Sequence, residues 1–294
     1  MQKITTHLWY DKEAKEAADF YLSIFKDSKH KDTTTIHNTP SGSVEIVTIE
    51  LMGQQFTLLS AGPLFKFNPS ISFLVSFETG EELDAAWKKI TEGGTALMEL
   101  GTYPFAERYG WIQDKYGLSW QLIYSARRPI KRTITPTLMF VGRQYGRAEE
   151  AINHYASIFR KAQVDAILRY ENNEEPDMAG TIKHASFTLE GQAFAAMDSA
   201  HGHNFAFTEA ISLMVHCDTQ MEIDYYWDML TAFPEEEQCG WLKDKFGLSW
   251  QIVPTAMNKI FEEKDEKKIA RVTEAFLRMK KFDLAKLREA ADRV

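Results

Sequence analysis

The sequence predicts an α+β chain made of a duplicated domain, each copy holding two βαβββ modules, with a helical tail added at the end. Three observations carry this. Residues 110–123 (GWIQDKYGLSWQLI) return as residues 240–253 (GWLKDKFGLSWQIV), identical at nine of fourteen positions and offset by 130; composition alone does not produce such a repeat. Within each copy, a β-run, an amphipathic helix and a group of strands occur twice. Nothing resembling the stretch after Pro254 follows the first copy. The implied divisions are residues 1–126, 133–255 and a tail over 256–294.

The elements follow from periodicity. Ile4–Tyr10 alternates as a strand, and Glu13–Phe25 sets Ala14, Ala17, Ala18, Tyr21 and Phe25 on one helical face. Val44–Leu51 and Gln55–Leu59 form a strand pair turning at Gly53, with a further strand near residues 31–38. Ser70–Phe77 restarts the pattern, Glu81–Thr91 is a helix ended by Gly93-Gly94, and strands follow near residues 95–100 and in the repeated hairpin. In that hairpin, Asp114–Gly117 is the turn. Leu118, Trp120 and Leu122 then face one way, and Ser119, Gln121 and Ile123 the other. The second copy repeats this through Ile134–Phe140, Ala148–Phe159, Ile182–Met197 and Ile211–Asp218, with about ten residues fewer before its hairpin. Ser125–Thr133 reads as a basic linker, and residues 172–180 as a mobile acidic loop. In the tail, Ile269, Val272, Phe276 and Met279 make one stripe, and Asp283 caps a last helix over Leu284–Ala291; a pair of docked helices is expected.

Composition excludes several classes. The chain has 294 residues, 44% hydrophobic and 26% charged, enough for two cores. A net charge of −8 and a pI near 5.6 argue against a nucleic-acid partner. No apolar leader or membrane-length run is present, so a cytoplasmic protein without a membrane partner is expected. Cys217 and Cys239 read as reduced thiols.

The tandem modules closed by a DxxG hairpin resemble the vicinal oxygen chelate superfamily of glyoxalases, bleomycin-resistance proteins and extradiol dioxygenases. The second copy is similar to its PhnB-like branch, labelled 3-demethylubiquinone-9 3-methyltransferase. The residues that carry this are Thr135-Pro136, Ala148–Ala151, His184, Gly191-Gln192, Met197-Asp198, Ala210–Leu213 and Cys239–Gln251. The resemblance implies glyoxalase-like domains whose paired modules curl around a cup. In metal-dependent members, four strand positions in the cup hold a divalent ion, mostly through His and Glu. Carried onto this chain, those positions offer His7 and Thr137, Ser72 and Ser212, and Gln121 and Gln251, with Glu45 and His184 nearby. Neutral amide and hydroxyl oxygens are weak ligands, so no metal cofactor is expected, and His7 is the one candidate ligand. His201-Gly202-His203 reads as a surface loop.

The ligand-binding candidates are therefore His7, Trp9, Gln121, His184, Asp198, Ser212, Cys239 and Gln251; no catalytic residue is assigned. The ligand site is expected in the second copy, which keeps His184 and Asp198 where the first has Ile46 and Ser60. No GxGxxG, Walker, HExxH or CxxC motif occurs, so no nucleotide-binding motif supports methyl transfer. The expected function is binding of a small molecule in a metal-free cup. The alternatives are a metal-dependent lyase or oxidoreductase of glyoxalase or dioxygenase type, and an interaction protein with vestigial cups. The two copies are expected to pair within the chain, as a monomer or a further homodimer.

Overall fold

The structure is a computed structural model that describes residues 2–126 and 132–293; most of the expected linker lies outside the described residues. The first copy contributes β1 (Ile4–Tyr10), α1 (Ala14–Ile24), β2 (Lys29–Thr39), β3 (Gly42–Leu51) and β4 (Gln54–Ser60), then β5 (Ile71–Ser76), α2 (Gly80–Ile90), β6 (Thr95–Tyr103), β7 (Ala106–Gln113) and β8 (Ser119–Tyr124). The second contributes β9 (Thr133–Val141), α3 (Ala148–Ile158), β10 (Gln163–Arg169), β11 (Ile182–Leu189) and β12 (Gln192–Ser199), then β13 (Ile211–Cys217), α4 (Gln220–Leu230), β14 (Trp241–Lys243) and β15 (Ser249–Pro254). The tail forms three helices, not two: α5 (Thr255–Glu262), α6 (Glu266–Phe276) and α7 (Leu284–Asp292), with α5 starting straight after the last strand.

The expected modules are joined crosswise. One sheet runs β14-β15-β13-β1-β4-β3-β2, the other β10-β11-β12-β9-β5-β8-β7-β6. Each therefore combines the first module of one copy with the second module of the other. The compact units follow the sheets: the first is Met1–Leu22, Ser28–Lys66 and Thr208–Val294, the second Ser23–Asp27 and Phe67–Phe207. The seams are the antiparallel pairs β1–β13, with His7 opposite Ser212, and β5–β9, with Ser72 opposite Thr137. Copies of the sequence and compact units are thus different divisions of the chain.

Each sheet buries one face under helices. In the first unit α4 lies on β13, β14 and β15, and Tyr21 of α1 meets Tyr10 of β1 hydroxyl to hydroxyl at 3.0 Å. In the second, α2 lies on β7 and β8, and α3 on β10, β11 and β12. Two of these helices start with a Thr-x-x-Glu box: Thr79 Oγ1 accepts from the Glu82 amide at 3.2 Å, and Thr219 Oγ1 from that of Glu222 at 3.2 Å.

The repeated hairpin is held by one carboxylate. Asp114 Oδ1 accepts from the amides of Tyr116 (2.9 Å) and Leu118 (3.0 Å), and its Oδ2 from Trp120 Nε1 (2.9 Å). Asp244 does the same with Phe246 (2.9 Å), Leu248 (3.1 Å) and Trp250 Nε1 (2.8 Å). Both tryptophans are fully buried, where an unpaired indole N–H costs about 1–3 kcal/mol. This explains why the aspartate and the tryptophan recur together.

The tail belongs to the first unit. Ile269 and Val272 are buried with Met257, Phe282 and Leu287 against Ile36, Val44 and Ala61, and Phe276 and Met279 pack beside them. Asp265 and Asp283 cap α6 and α7. Between α5 and α6, Lys264 Nζ reaches both oxygens of Asp32 (2.7 and 2.8 Å), the Thr33 carbonyl (2.7 Å) and Thr34 Oγ1 (2.8 Å). The acidic loop over 172–180 has two anchors: Asp177 is buried and accepts from the Ala200 amide at 2.6 Å, and the Met178 amide donates to Tyr145 Oη at 2.6 Å. Its polar composition concealed these anchors.

Candidate functional site

The face of each sheet turned away from α1–α4 collects the alternate residues of its strands. In the first unit, three of these lie in register across neighbouring strands: His7 on β1, Ser212 on β13 and Ser249 on β15. Gln251, two residues beyond Ser249, donates from Nε2 to Ser212 Oγ at 2.8 Å. Trp241 on β14 stands opposite Gln251, its ring edge-on to His7 with centroids 5.2 Å apart, and Trp9 lies 6.2 Å from Trp241 in the same manner. His7, Ser212, Ser249 and Gln251 are buried, while Trp9, Met214, Cys239 and Trp241 are partly exposed.

Two polar atoms in this group have no partner: His7 Nδ1 and Ser249 Oγ are both buried without a hydrogen bond. Burial pushes the His7 pKa down to about 3, so its imidazole is neutral at physiological pH. Next to it on the same face, His216 Nε2 meets Thr5 Oγ1 at 2.8 Å, and burial, with Lys3 adding to it, lowers this histidine to about 4. Buried polar groups are nearly always satisfied in folded proteins, which sets the His7–Ser249 row apart.

Cys239 stands two residues before Trp241, just ahead of β14. Its backbone is left-handed (φ 53°), its amide donates to the Met279 carbonyl at 2.8 Å, and burial raises its thiol pKa. A raised pKa opposes thiolate nucleophilicity. The next residue explains the sharp bend: a Cβ on Gly240, itself at φ 84°, would lie 2.4 Å from Phe282 of the tail.

The second unit carries the remaining candidates. Gln121 Oε1 accepts from Tyr109 Oη at 2.7 Å, and its Nε2 donates to Ser72 Oγ at 2.7 Å. Trp111 Nε1 donates to Ser119 Oγ at 2.7 Å. Tyr109 is held neutral by burial. His184 is half-buried opposite Leu168 of β10, its pKa lowered by burial. Asp198 is structural in its contacts. Its Oδ1 accepts from the amides of Gly146 (2.9 Å) and Ala148 (3.1 Å), and its Oδ2 from that of Ile182 (2.9 Å). Ser60 does the equivalent work in the first unit, accepting from the Ala14 amide at 3.1 Å. Asp198 and Ser60 are one helix-start cap written with two residues.

The expected grouping by copy is therefore corrected by the crosswise sheets. His184 and Asp198 sit in the second unit with Gln121; His7, Trp9, Ser212, Cys239 and Gln251 sit in the first. Sequence reasoning passed over Ser249 and Met214 as site residues, although Ser249 shares the alternating row of Gln251.

The family described as 3-demethylubiquinone-9 3-methyltransferase matches the chain twice, over residues 2–123 and 132–253. The chain belongs to this family. It carries one family match in each copy of the sequence, as a tandem member. It is 37% identical to a PhnB protein from Bacillus cereus described as a 3-demethylubiquinone-9 3-methyltransferase, over 42% of this chain and 100% of that one, with a TM-score of 0.40. It shares its fold with glyoxalase I from Zea mays, at 12% identity over 89% of this chain and 97% of that one, with a TM-score of 0.53. No curated protein matches it.

The resemblance to metal-dependent vicinal oxygen chelate proteins implies a divalent metal, and the residues present do not fit one. Among the described residues, no three His, Cys, Asp or Glu side chains come together as an ion would require. The row around His7 supplies one imidazole, one amide already bonded to Ser212, and hydroxyls, which together make a poor donor set. Among the described residues, no helix is long and apolar enough to cross a membrane.

Proposed function

We propose that this protein binds a small molecule on the inner face of its first unit, and that it does so by direct hydrogen bonding rather than through a metal. The observation that carries the reading is the pair of buried, unpartnered polar atoms, His7 Nδ1 and Ser249 Oγ, set in one row across three strands. A ligand that satisfies both removes a cost of about 1–3 kcal/mol for each. Gln251 and Ser212 occupy each other and hold the middle of the row. Trp9, Trp241 and Met214 give an apolar wall, and mostly apolar walls with a few placed polar groups suit a small-molecule site. His7, neutral and buried, acts as a hydrogen-bonding group and not as a charge.

The test is a thermal-shift screen of uncharged small molecules against the intact chain, with metal analysis of the same preparation. A hit should lose its shift in His7→Leu and keep it in Gln121→Leu. Stoichiometric metal that disappears in His7→Leu would overturn the reading in favour of a glyoxalase- or dioxygenase-type metal site.

A further inference from the structure

We propose that α6 and α7 are a hinged cover over the inner face of the first unit, and that a ligand reaches His7 and Ser249 only when this cover lifts. This rests on the binding face proposed above and adds how entry to it is controlled. His7 Nδ1 and Ser249 Oγ are closed to solvent as well as unpartnered, so a ligand meets them only after a movement. Around them, Trp9, Met214, Cys239 and Trp241 are partly exposed, and three of these four lie against the tail or beside its attachment. The tail sits on the same face as His7. Trp9 is in register with Leu59 of β4, and Leu59 with Ile46 of β3. All three pack against the cluster built around Ile269, Val272 and Leu287 of the tail.

Two attachments hold the cover. α5 follows β15 without a loop, so the first break in the tail is the turn at Lys264, whose backbone is left-handed (φ 57°). The Lys264 side chain is fixed on Asp32, Thr33 and Thr34, which makes this turn the hinge. The far side is a latch. The amides of Cys239 and Gly240 donate to the carbonyls of Met279 and Lys280, each at 2.8 Å. Gln220 Nε2 donates to the Phe282 carbonyl at 3.1 Å, and its Oε1 accepts from the Leu284 amide at 2.9 Å. Lys281 Nζ lies 3.0 Å from Asp224 and 3.3 Å from Asp228. The latch thus grips the two residues before Trp241, whose ring stands edge-on to His7. In the second unit the matching stretch is held by a strand instead: Tyr109 pairs with Gly101 and Trp111 with Met98 of β6. Apolar burial under α6 keeps the cover closed most of the time. Ion pairs that solvent reaches are individually weak, and elements that gate a ligand are drawn from the parts of a fold that open locally.

Two reagents on the full chain test this without any ligand, so the cover and the binding face can fail separately. N-ethylmaleimide reads the Cys239 thiol at the latch, diethyl pyrocarbonate reads the His7 imidazole, and peptide mass spectrometry follows both. Gln220→Ala weakens the latch and should speed both modifications about tenfold, while the buried Cys217 stays unmodified. Lys281→Gln changes a surface pair and should speed both about threefold; it keeps the test open if Gln220→Ala does not fold. Glu274→Gln breaks an exposed pair on α6 and should change neither rate. A Cys239 rate that rises while His7 stays protected overturns the gate. So does Cys217 reacting in step with Cys239, which marks global unfolding, and so do rates that neither latch variant moves.

Discussion

Gln121 and Gln251 are the same residue of the same repeated hairpin, and the two units surround them differently. In the second unit, Gln121 is closed on both sides, by Tyr109 and by Ser72, and Ser119 is closed by Trp111. In the first, Cys239 stands at the tyrosine's place, Trp241 turns its ring to His7, and Ser249 has no partner. One inner face is internally satisfied and the other is not. The repeated glycine shows the same divergence: a Cβ on Gly110 would meet Trp87 of α2 at 2.4 Å, and one on Gly240 would meet Phe282 of the tail at 2.4 Å. Duplication kept the hairpin and freed its surroundings, so a helix fills the notch in one unit and the appended tail fills it in the other.

The comparison holds only if the hairpins themselves are equivalent. Asp114→Ala and Asp244→Ala should each cost on the order of 3–5 kcal/mol, because each strands two turn amides and a buried indole N–H. Urea unfolding measures both, and a gap of more than about 2 kcal/mol between them would show that the two hubs are not alike. The glycines should come apart next. Gly240→Ala combines the clash with a left-handed backbone, which adds about 1–2 kcal/mol, so it should destabilise more than Gly110→Ala. It should also expose the tail to limited proteolysis; Gly110→Ala should leave tail cleavage unchanged.

Acid should weaken the first unit as well. His7 and His216 both have folded pKa values below the ordinary 6.5, at about 3 and about 4. The unfolded chain therefore binds more protons between those values and 6.5, and stability rises with pH across that window. It is complete above pH 6.5 and is lost as pH falls toward 4, with a slope of up to about 1.4 kcal/mol per pH unit for each histidine. Denaturation of His216→Gln between pH 7 and 4.5 should show a shallower loss than the parent; an identical slope would remove His216 from the account. The smallest effect is the control: Thr79→Ala and Thr219→Ala should each cost about 1 kcal/mol and agree with one another, since their capping bonds are the same length.

Much of the fold could be read directly. β1 has the boundaries its alternation gives, and the helices, the hairpins and the Asp283 cap follow from local chemistry. β10 escaped because all seven of its residues are exposed, so no buried face imprints an alternation on Gln163–Arg169. The crosswise seams escaped for another reason. β1 and β9 carry equivalent patterns, so local sequence does not say which of them pairs with β5 and which with β13. For the site, His7, Ser212 and Gln251 were reached through the strand positions that the superfamily resemblance implies, and the alternation of the repeated hairpin set Gln251 apart from its apolar face. Grouping them by copy placed His184 and Asp198 with the wrong neighbours. The three amides on its oxygens make Asp198 a helix-start cap, the kind of role that a short carboxylate at a strand end favours over a general base.

The seam between β1 and β13 has a temporal side. Its two strands lie at residues 4–10 and 211–217, while nearly the whole second unit is continuous from Phe67 to Phe207. A ribosome adding about 5–20 residues per second releases β13 roughly 10–40 s after β1 has emerged. Through that interval the first module holds a strand whose seam edge has no partner, and the second unit completes its sheet first. The tail helices emerge after β13 and β15. The first unit, with the unsatisfied histidine at its centre, is therefore the last part of the molecule to close.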